Sequence, residues 1–245
     1  MAGRNLQELL GTVQSPVELL RNAQVGPNVY PGVPAEYTNW RDEQQAWQQT
    51  CVLFNQTFHM AELMVEGPDA LALLTSLGVN SFATFEPRKA KQFVPCTPDG
   101  YVIGDVILFG LAADRFNLVG RAPVLNWVTY HAETAGHDVE VQFDQRTALR
   151  SDGRRRHYRF QVQGPNAMAV LEKALGHAPE ELKFFTMRAE QIAGVEVTAL
   201  RHGMAGQPGC ELFGPFEDGE AVHEALVSAG QDLGLTLVGL SLIHI

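Results

Sequence analysis

The chain has 245 residues, 45% hydrophobic and 19% charged, which excludes a disordered protein and allows one large domain or two small ones. Eighteen Lys and Arg against 28 Asp and Glu leave a net charge of −10, which argues against nucleic acid or an anionic membrane as partner. Cys51, Cys96 and Cys210 have neither CxxC spacing nor metal-ligand companions, so neither a disulfide framework nor a metal site is expected.

At the N-terminus MAGRNLQELL lacks the apolar core of a signal peptide, and no apolar run nears the roughly 20 residues of a membrane helix, so a cytoplasmic protein is expected. NLQELLGTVQSPVELLRNAQ predicts two short helices divided at Ser15-Pro16, an N-cap followed by proline in the first turn. The proline-rich GPNVYPGVPAEYTNW reads as an ordered arm carrying Tyr30 and Tyr37, with a floppy linker as the alternative. Asp42 to Thr50 reads as a helix with Trp40 and Trp47 beside it.

From there the chain repeats itself. VEGPDA at 65–70, running into LALL, and VQGPNA at 162–167, running into MAVL, set Gly67 and Gly164 97 residues apart. Each copy is a strand ending in Gly-Pro, then Asp69 or Asn166 as a cap on an apolar helix face. In the first copy FVPC and YVIGDVILFGL flank the turn TPDG, ADRFNLVGR is a further strand, and APVLNWVTYHAETAG is a helix. In the second, IAGVEVTALRH and GCELFGP are strands around the glycine-rich GMAGQPG, before the helix FEDGEAVHEALVSAGQDLG.

Both halves read as strand, helix, strand, strand, helix, the order of a ferredoxin-like split βαβ unit. The expected fold class is therefore α+β with two related halves: N-terminal helices and arm at 1–40, then a domain at 41–239 whose halves span about 51–148 and 157–239. Between them, RTALRSDGRRRHYRF sets Arg150, Arg154, Arg155 and Arg156 around Asp152-Gly153. It is read as a solvated hairpin or mobile loop rather than a phosphate or RNA patch.

FNQTFHM, VEGPDA, KAKQFVPCTPDGYVIGDVIL and RHGMAGQPGCEL stand in the order found in the glycine-cleavage T-protein (aminomethyltransferase) superfamily of tetrahydrofolate-dependent transferases, which the chain resembles across residues 51 to 212. VGPNVYP, NWRDEQQAW, RKAKQFVP, LVGRAP, LKFF and LRHGMAG look like its vanillate and syringate O-demethylase subgroup, nearly as far as Gly239. The resemblance implies a folate-binding domain, N-terminal half only, and methyl transfer from a methoxylated aromatic acid (vanillate, syringate or 3-O-methylgallate) to tetrahydrofolate. The products would be a phenol and methyl-tetrahydrofolate, without oxygen, metal or cobalamin. An aminomethyltransferase or other folate-linked demethylase, and a non-catalytic folate-binding protein, are the alternatives. The partners implied are the aromatic acid and folate, not nucleic acid or membrane; the oligomeric state stays open.

The same resemblance implies site residues. Asp105, in YVIGDVIL, matches the second aspartate of the family's Asp-Asp pattern and would orient the pterin and stabilise developing positive charge, while Gly104 replaces the first. Glu211, in GCEL, would pair with the ring NH and amino group of a pterin, and Gly203, Gly206 and Gly209 would allow close backbone approach. Arg121, in LVGRAP, suits the carboxylate of a benzoate. His59 and Tyr30 are candidate proton donors or hydrogen-bond partners for the substrate oxygens. Gln92 and Lys89 face either the cofactor or solvent, and His202, Trp127, Met168 and Phe184-Phe185 read as packing residues.

The family's chain continues well beyond GLTLVG, whereas this one closes with LSLIHI, which matches a translated sequencing-adaptor string. Residues 240–245 are therefore set aside from the expected fold, and the chain alone is expected to be inactive and to expose apolar surface.

Overall fold

The computed structural model describes residues 6–21, 33–146 and 154–244. The first helices, α1 (Leu6–Leu10) and α2 (Pro16–Arg21), divide where the sequence predicts, with Ser15 Oγ accepting the Glu18 amide at 3.2 Å. Helix α3 (Trp40–Gln49) is capped by Asn39, whose side chain accepts from the Arg41 and Asp42 amides.

Two sheets follow. The first contains β2 (Ala61–Glu66), β3 (Ala90–Phe93), β4 (Val106–Gly110), β5 (Arg115–Gly120) and β6 (Glu140–Asp144), in the order β3-β4-β5-β2-β6. The second contains β1 (Cys51–Asn55), β7 (His157–Gln163), β8 (Met187–Ile192), β9 (Val195–Arg201), β10 (Gly209–Pro215) and β11 (Leu235–Val238), in the order β8-β9-β10-β7-β1-β11. Helices α4 (Ala70–Leu77) and α5 (Ala122–Thr134) belong to the first repeat, α6 (Ala167–Leu175) and α7 (Gly219–Gly230) to the second.

The α+β repeat stands, with more strands than expected: each half runs strand, helix, three strands, helix, strand. Without β1 the two sheet orders coincide. β1, which the sequence reading places in the first repeat, inserts into the second sheet between β7 and β11, antiparallel to one and parallel to the other.

The layers are helices, sheet, sheet, helices. Leu63, Val65, Leu108 and Leu118 pack under α4 and α5, while Leu53, Phe160, Val162 and Leu212 belong to the core beneath α6 and α7. A smaller cluster of Ala90, Phe109, Val119, Met187, Leu200 and Phe213 lies between the sheets. The sheets join at their edges by one repeated contact. The Ala90 amide donates to the Phe185 carbonyl at 2.8 Å and the Met187 amide to the Arg88 carbonyl at 2.7 Å, and each of these positions has its repeat partner 97 residues away.

Asp69 and Asn166 are not caps: neither side chain bonds its helix N-terminus. Asp69 Oδ2 accepts the Asp138 amide and Asn166 Nδ2 donates to the Leu233 carbonyl, both at 2.9 Å, so each ties down the segment before its repeat's last strand. Gly67 (φ +143°) sits in the same corner, where a β-carbon would overlap the Asp138 carbonyl oxygen. Gly67→Ala should therefore cost at least ~2 kcal/mol. A urea midpoint equal to that of the parent would contradict this packing.

Two other expectations change. Of the basic segment, Arg150 lies outside the described residues, but Arg155 is buried: its Nε pairs with Asp144 Oδ2 at 3.1 Å and its Nη1 donates to the Met60 carbonyl at 2.7 Å. Residues 240–244 form α8 (Leu240–His244), with Leu240 packed against Val33 and Leu242 in the cluster of Val52, Phe54 and Val238. Leu240 and Leu242 are thus buried in the packing.

Candidate functional site

The strand registers gather one group of candidate residues. Phe93, Val106, Gly120 and Ala61 form a row across β3, β4, β5 and β2. Asp105 and Arg121 are the next residues along β4 and β5 at that end, and the turn carrying His59 leads into β2 beside them. Gln92 reaches Asp105 directly, its Nε2 donating to Oδ2 at 2.7 Å. Gln92, Asp105 and Arg121 are exposed and His59 is half-buried. Lys89 pairs with Glu86 at 2.8 Å, which favours its solvating role.

Arg121 is also the N-terminal boundary residue of α5, and its side chain makes no capping bond. A cation at the positive end of a helix is unfavourable unless an anion joins it. The position thus offers both a guanidinium and a helix terminus to a carboxylate.

Glu211 sits elsewhere in the layers, on β10 between the sheets, and is 4% exposed. It ends a chain of polar and charged groups that runs between the sheets. His157 Nδ1 meets Glu62 Oε2 at 2.7 Å, Arg159 Nε donates to Glu62 Oε1 at 2.8 Å, and Arg159 Nη1 donates to Glu211 Oε1 at 2.8 Å. Glu211 Oε2 lies 3.7 Å from His202 Nδ1, beyond hydrogen-bond range. Asn117 Nδ2 donates to Glu62 Oε2 at 2.8 Å, and the Arg159 guanidinium lies 4.7 Å from the Phe109 ring and 4.6 Å from that of Phe213.

Burial works to raise both carboxyls, but the Arg159 charge and the His157 hydrogen bond outweigh it at Glu62, and His202 with Arg159 outweigh it at Glu211. Both stay ionised below the usual carboxylate range. Glu62, Arg159 and His157 were missed in the sequence, and His202, read there as packing, stands beside Glu211 with its carbonyl held by Gln163 Nε2 at 2.7 Å.

The glycines of the turn have reasons inside the protein. A β-carbon on Gly209 would overlap the Gln163 side chain and one on Gly203 the Gln207 carbonyl oxygen, while Gly206 (φ +76°) faces open space. Gly203 and Gly209 thus have a reason to be glycine within the fold itself. Tyr30 lies outside the described residues. No helix among the described residues is long and apolar enough to cross a membrane.

This double sheet, with its repeated glycine corners, is the fold of a known family: a profile described as the GCVT N-terminal domain matches residues 20–245, and the chain belongs to that family. It is 64% identical over 96% of its length to a syringate O-demethylase of Sphingobium sp. strain SYK-6, covering 51% of that protein. It is 31% identical over 85% of its length to an aminomethyltransferase of Halothermothrix orenii, covering 56% of it. The chain spans about half the length of these curated relatives. The crystal structure of the glycine cleavage system aminomethyltransferase T from Bartonella henselae shares the fold, with a TM-score of 0.69 at 24% identity over 92% of this chain and 58% of that one.

Proposed function

We propose that this protein serves in tetrahydrofolate-dependent removal of the O-methyl group from a methoxylated aromatic acid of the syringate or vanillate type. The observation that carries the reading is the gathering of Gln92, Asp105, Arg121 and the His59 turn at one sheet end, in a chain 64% identical to a syringate O-demethylase. Tetrahydrofolate enters as the methyl-accepting substrate, and residues 41–239 form its binding unit. The reaction breaks the methyl–oxygen bond of a poor leaving group, a phenoxide, as a modest amine nucleophile bonds the methyl carbon, so the residues must align the two and supply a proton to the departing oxygen.

Arg121 and the α5 terminus hold the acid's carboxylate. Asp105, steadied by Gln92, faces the positive charge that develops on the accepting nitrogen. His59, with Tyr30 from the arm, protonates or hydrogen-bonds the ether oxygen. Glu211 fits a pterin edge in one respect that supports its role: Oε1 accepts from Arg159, whereas among the described residues Oε2 is approached by His202 Nδ1 at 3.7 Å, beyond hydrogen-bond range.

The carboxylate clamp is tested by binding. Charge-assisted hydrogen bonds are worth about 1.5–3 kcal/mol, so Arg121→Ala should weaken syringate or vanillate binding by about 10- to 150-fold. A methoxyphenol without the carboxylate should bind the variant as it binds the parent. Equal titrations of syringate into both proteins would remove the clamp and favour aminomethyl transfer, the reading the Halothermothrix relative suggests.

A further inference from the structure

We propose that Arg159 is a positioning residue that fixes Glu211 for the donor edge of its ligand, with Glu62 and His157 as struts behind it. This rests on the reading of Glu211 as a folate contact.

A buried ion chain is poor support for stability alone, because apolar residues of similar volume commonly do as well. What this chain provides is direction. The planar guanidinium of Arg159 spans two carboxylates through different nitrogens, Nε on Glu62 and Nη1 on Glu211. Phe109 from the first sheet and Phe213 from the second lie against it, so its plane is set by both sheets. Glu62 is fixed in turn by Asn117 and by His157, whose side chain is 20% exposed.

With Oε1 clamped, the Glu211 carboxylate has a fixed plane and its Oε2 lone pairs a fixed aim. His202 beside it is held through its carbonyl by Gln163, and Gln161, 3.3 Å from the His202 ring, accepts from Gln56 at 2.9 Å. Oε2 and the second lone pair of Oε1 together suit a ligand with two adjacent N–H donors on a planar ring, as in an amidine-like edge.

The groups facing Glu211 are Arg159 on β7, His202 after β9 and, through Arg159, Glu62 on β2; the neighbouring Cys210 belongs to the opposite, helix-facing core. Removing the fork should loosen the carboxylate and let burial raise its pKa.

The test uses the 245-residue protein, with tetrahydrofolate and syringate titrated separately between pH 5 and 8 and melting recorded for each variant. Arg159→Lys keeps the charge but cannot span both carboxylates. It should weaken tetrahydrofolate binding by about 10- to 100-fold, leave syringate binding unchanged, and move the acid limb of the folate profile up by about one pH unit. Glu62→Gln keeps the shape and should weaken folate binding several-fold in the same selective way; it decides the matter if Arg159→Lys does not fold. Variants that melt lower yet bind folate like the parent, with an unmoved pH profile, would show a structural role only and overturn the inference. A parent protein that binds no tetrahydrofolate would instead overturn the folate reading itself, and the inference with it.

Discussion

Asp105→Asn should lower the rate of methyl transfer by about 100- to 1000-fold while leaving the melting temperature in place. The carboxylate is exposed, so no buried contact is lost, and an asparagine oxygen can still accept the Gln92 Nε2 hydrogen bond now made at 2.7 Å. The substitution therefore removes charge alone. Asp105 is proposed to act on charge that exists only as the methyl group moves, so kcat should fall while the KM for the aromatic acid stays close to the parent's. The chain spans 51% of the Sphingobium relative, so rates are best measured on the chain alone and, in parallel, on the chain joined to the remaining length of that protein. A variant within about fivefold of the parent rate would remove Asp105 from the chemistry.

Arg159→Met should destabilise the fold by about 3–5 kcal/mol at neutral pH, because it leaves Glu62 and Glu211 buried without a counter-charge. The pH dependence has a definite sign. In the parent both carboxyls are held below their unfolded pKa of roughly 4.3, so their stabilisation is present above that pH and is lost as the pH falls through the lower folded values. Without the guanidinium, less opposes burial, so both carboxyls shift upward and their ionised forms stabilise the fold less at neutral pH. The deficit should thus be largest at pH 7 and shrink toward pH 4. Urea midpoints for the two proteins that stay equally far apart across that range would show that the cost is lost packing rather than stranded charge.

The repeat was legible because it is written in backbone constraints. Gly67 and Gly164 both have positive φ, and a β-carbon at either would run into backbone, so the Gly-Pro corners recur in the sequence. The edge strands were harder: AKQF is four residues long, and MRAEQI carries too many polar side chains to stand out as a strand. The buried charges were hidden for a related reason. HYRFQVQ alternates Tyr158, Phe160 and Val162 with His157, Arg159, Gln161 and Gln163, and alternation normally marks the polar side as the wet one. Here that side faces another sheet, so the polar groups satisfy one another. A strand read alone cannot reveal that its polar face is covered by a chain nearly 100 residues away, as Glu62 covers Arg159. Asp105, Arg121 and Glu211 were proposed instead by resemblance, and the β4–β5 register places the first two at the same sheet end.

The most direct test is transfer of an isotopically labelled methyl group. Syringate or vanillate carrying a ¹³C-methoxy group is incubated anaerobically with tetrahydrofolate and the protein, both alone and joined to the remaining length of the Sphingobium relative, and the label is followed by NMR. The joined protein is expected to move the label to methyl-tetrahydrofolate in step with release of the phenol, and Asp105→Asn is expected largely to stop both. Folate that binds but stays unlabelled with both syringate and vanillate would contradict this and leave a folate-binding protein without this activity.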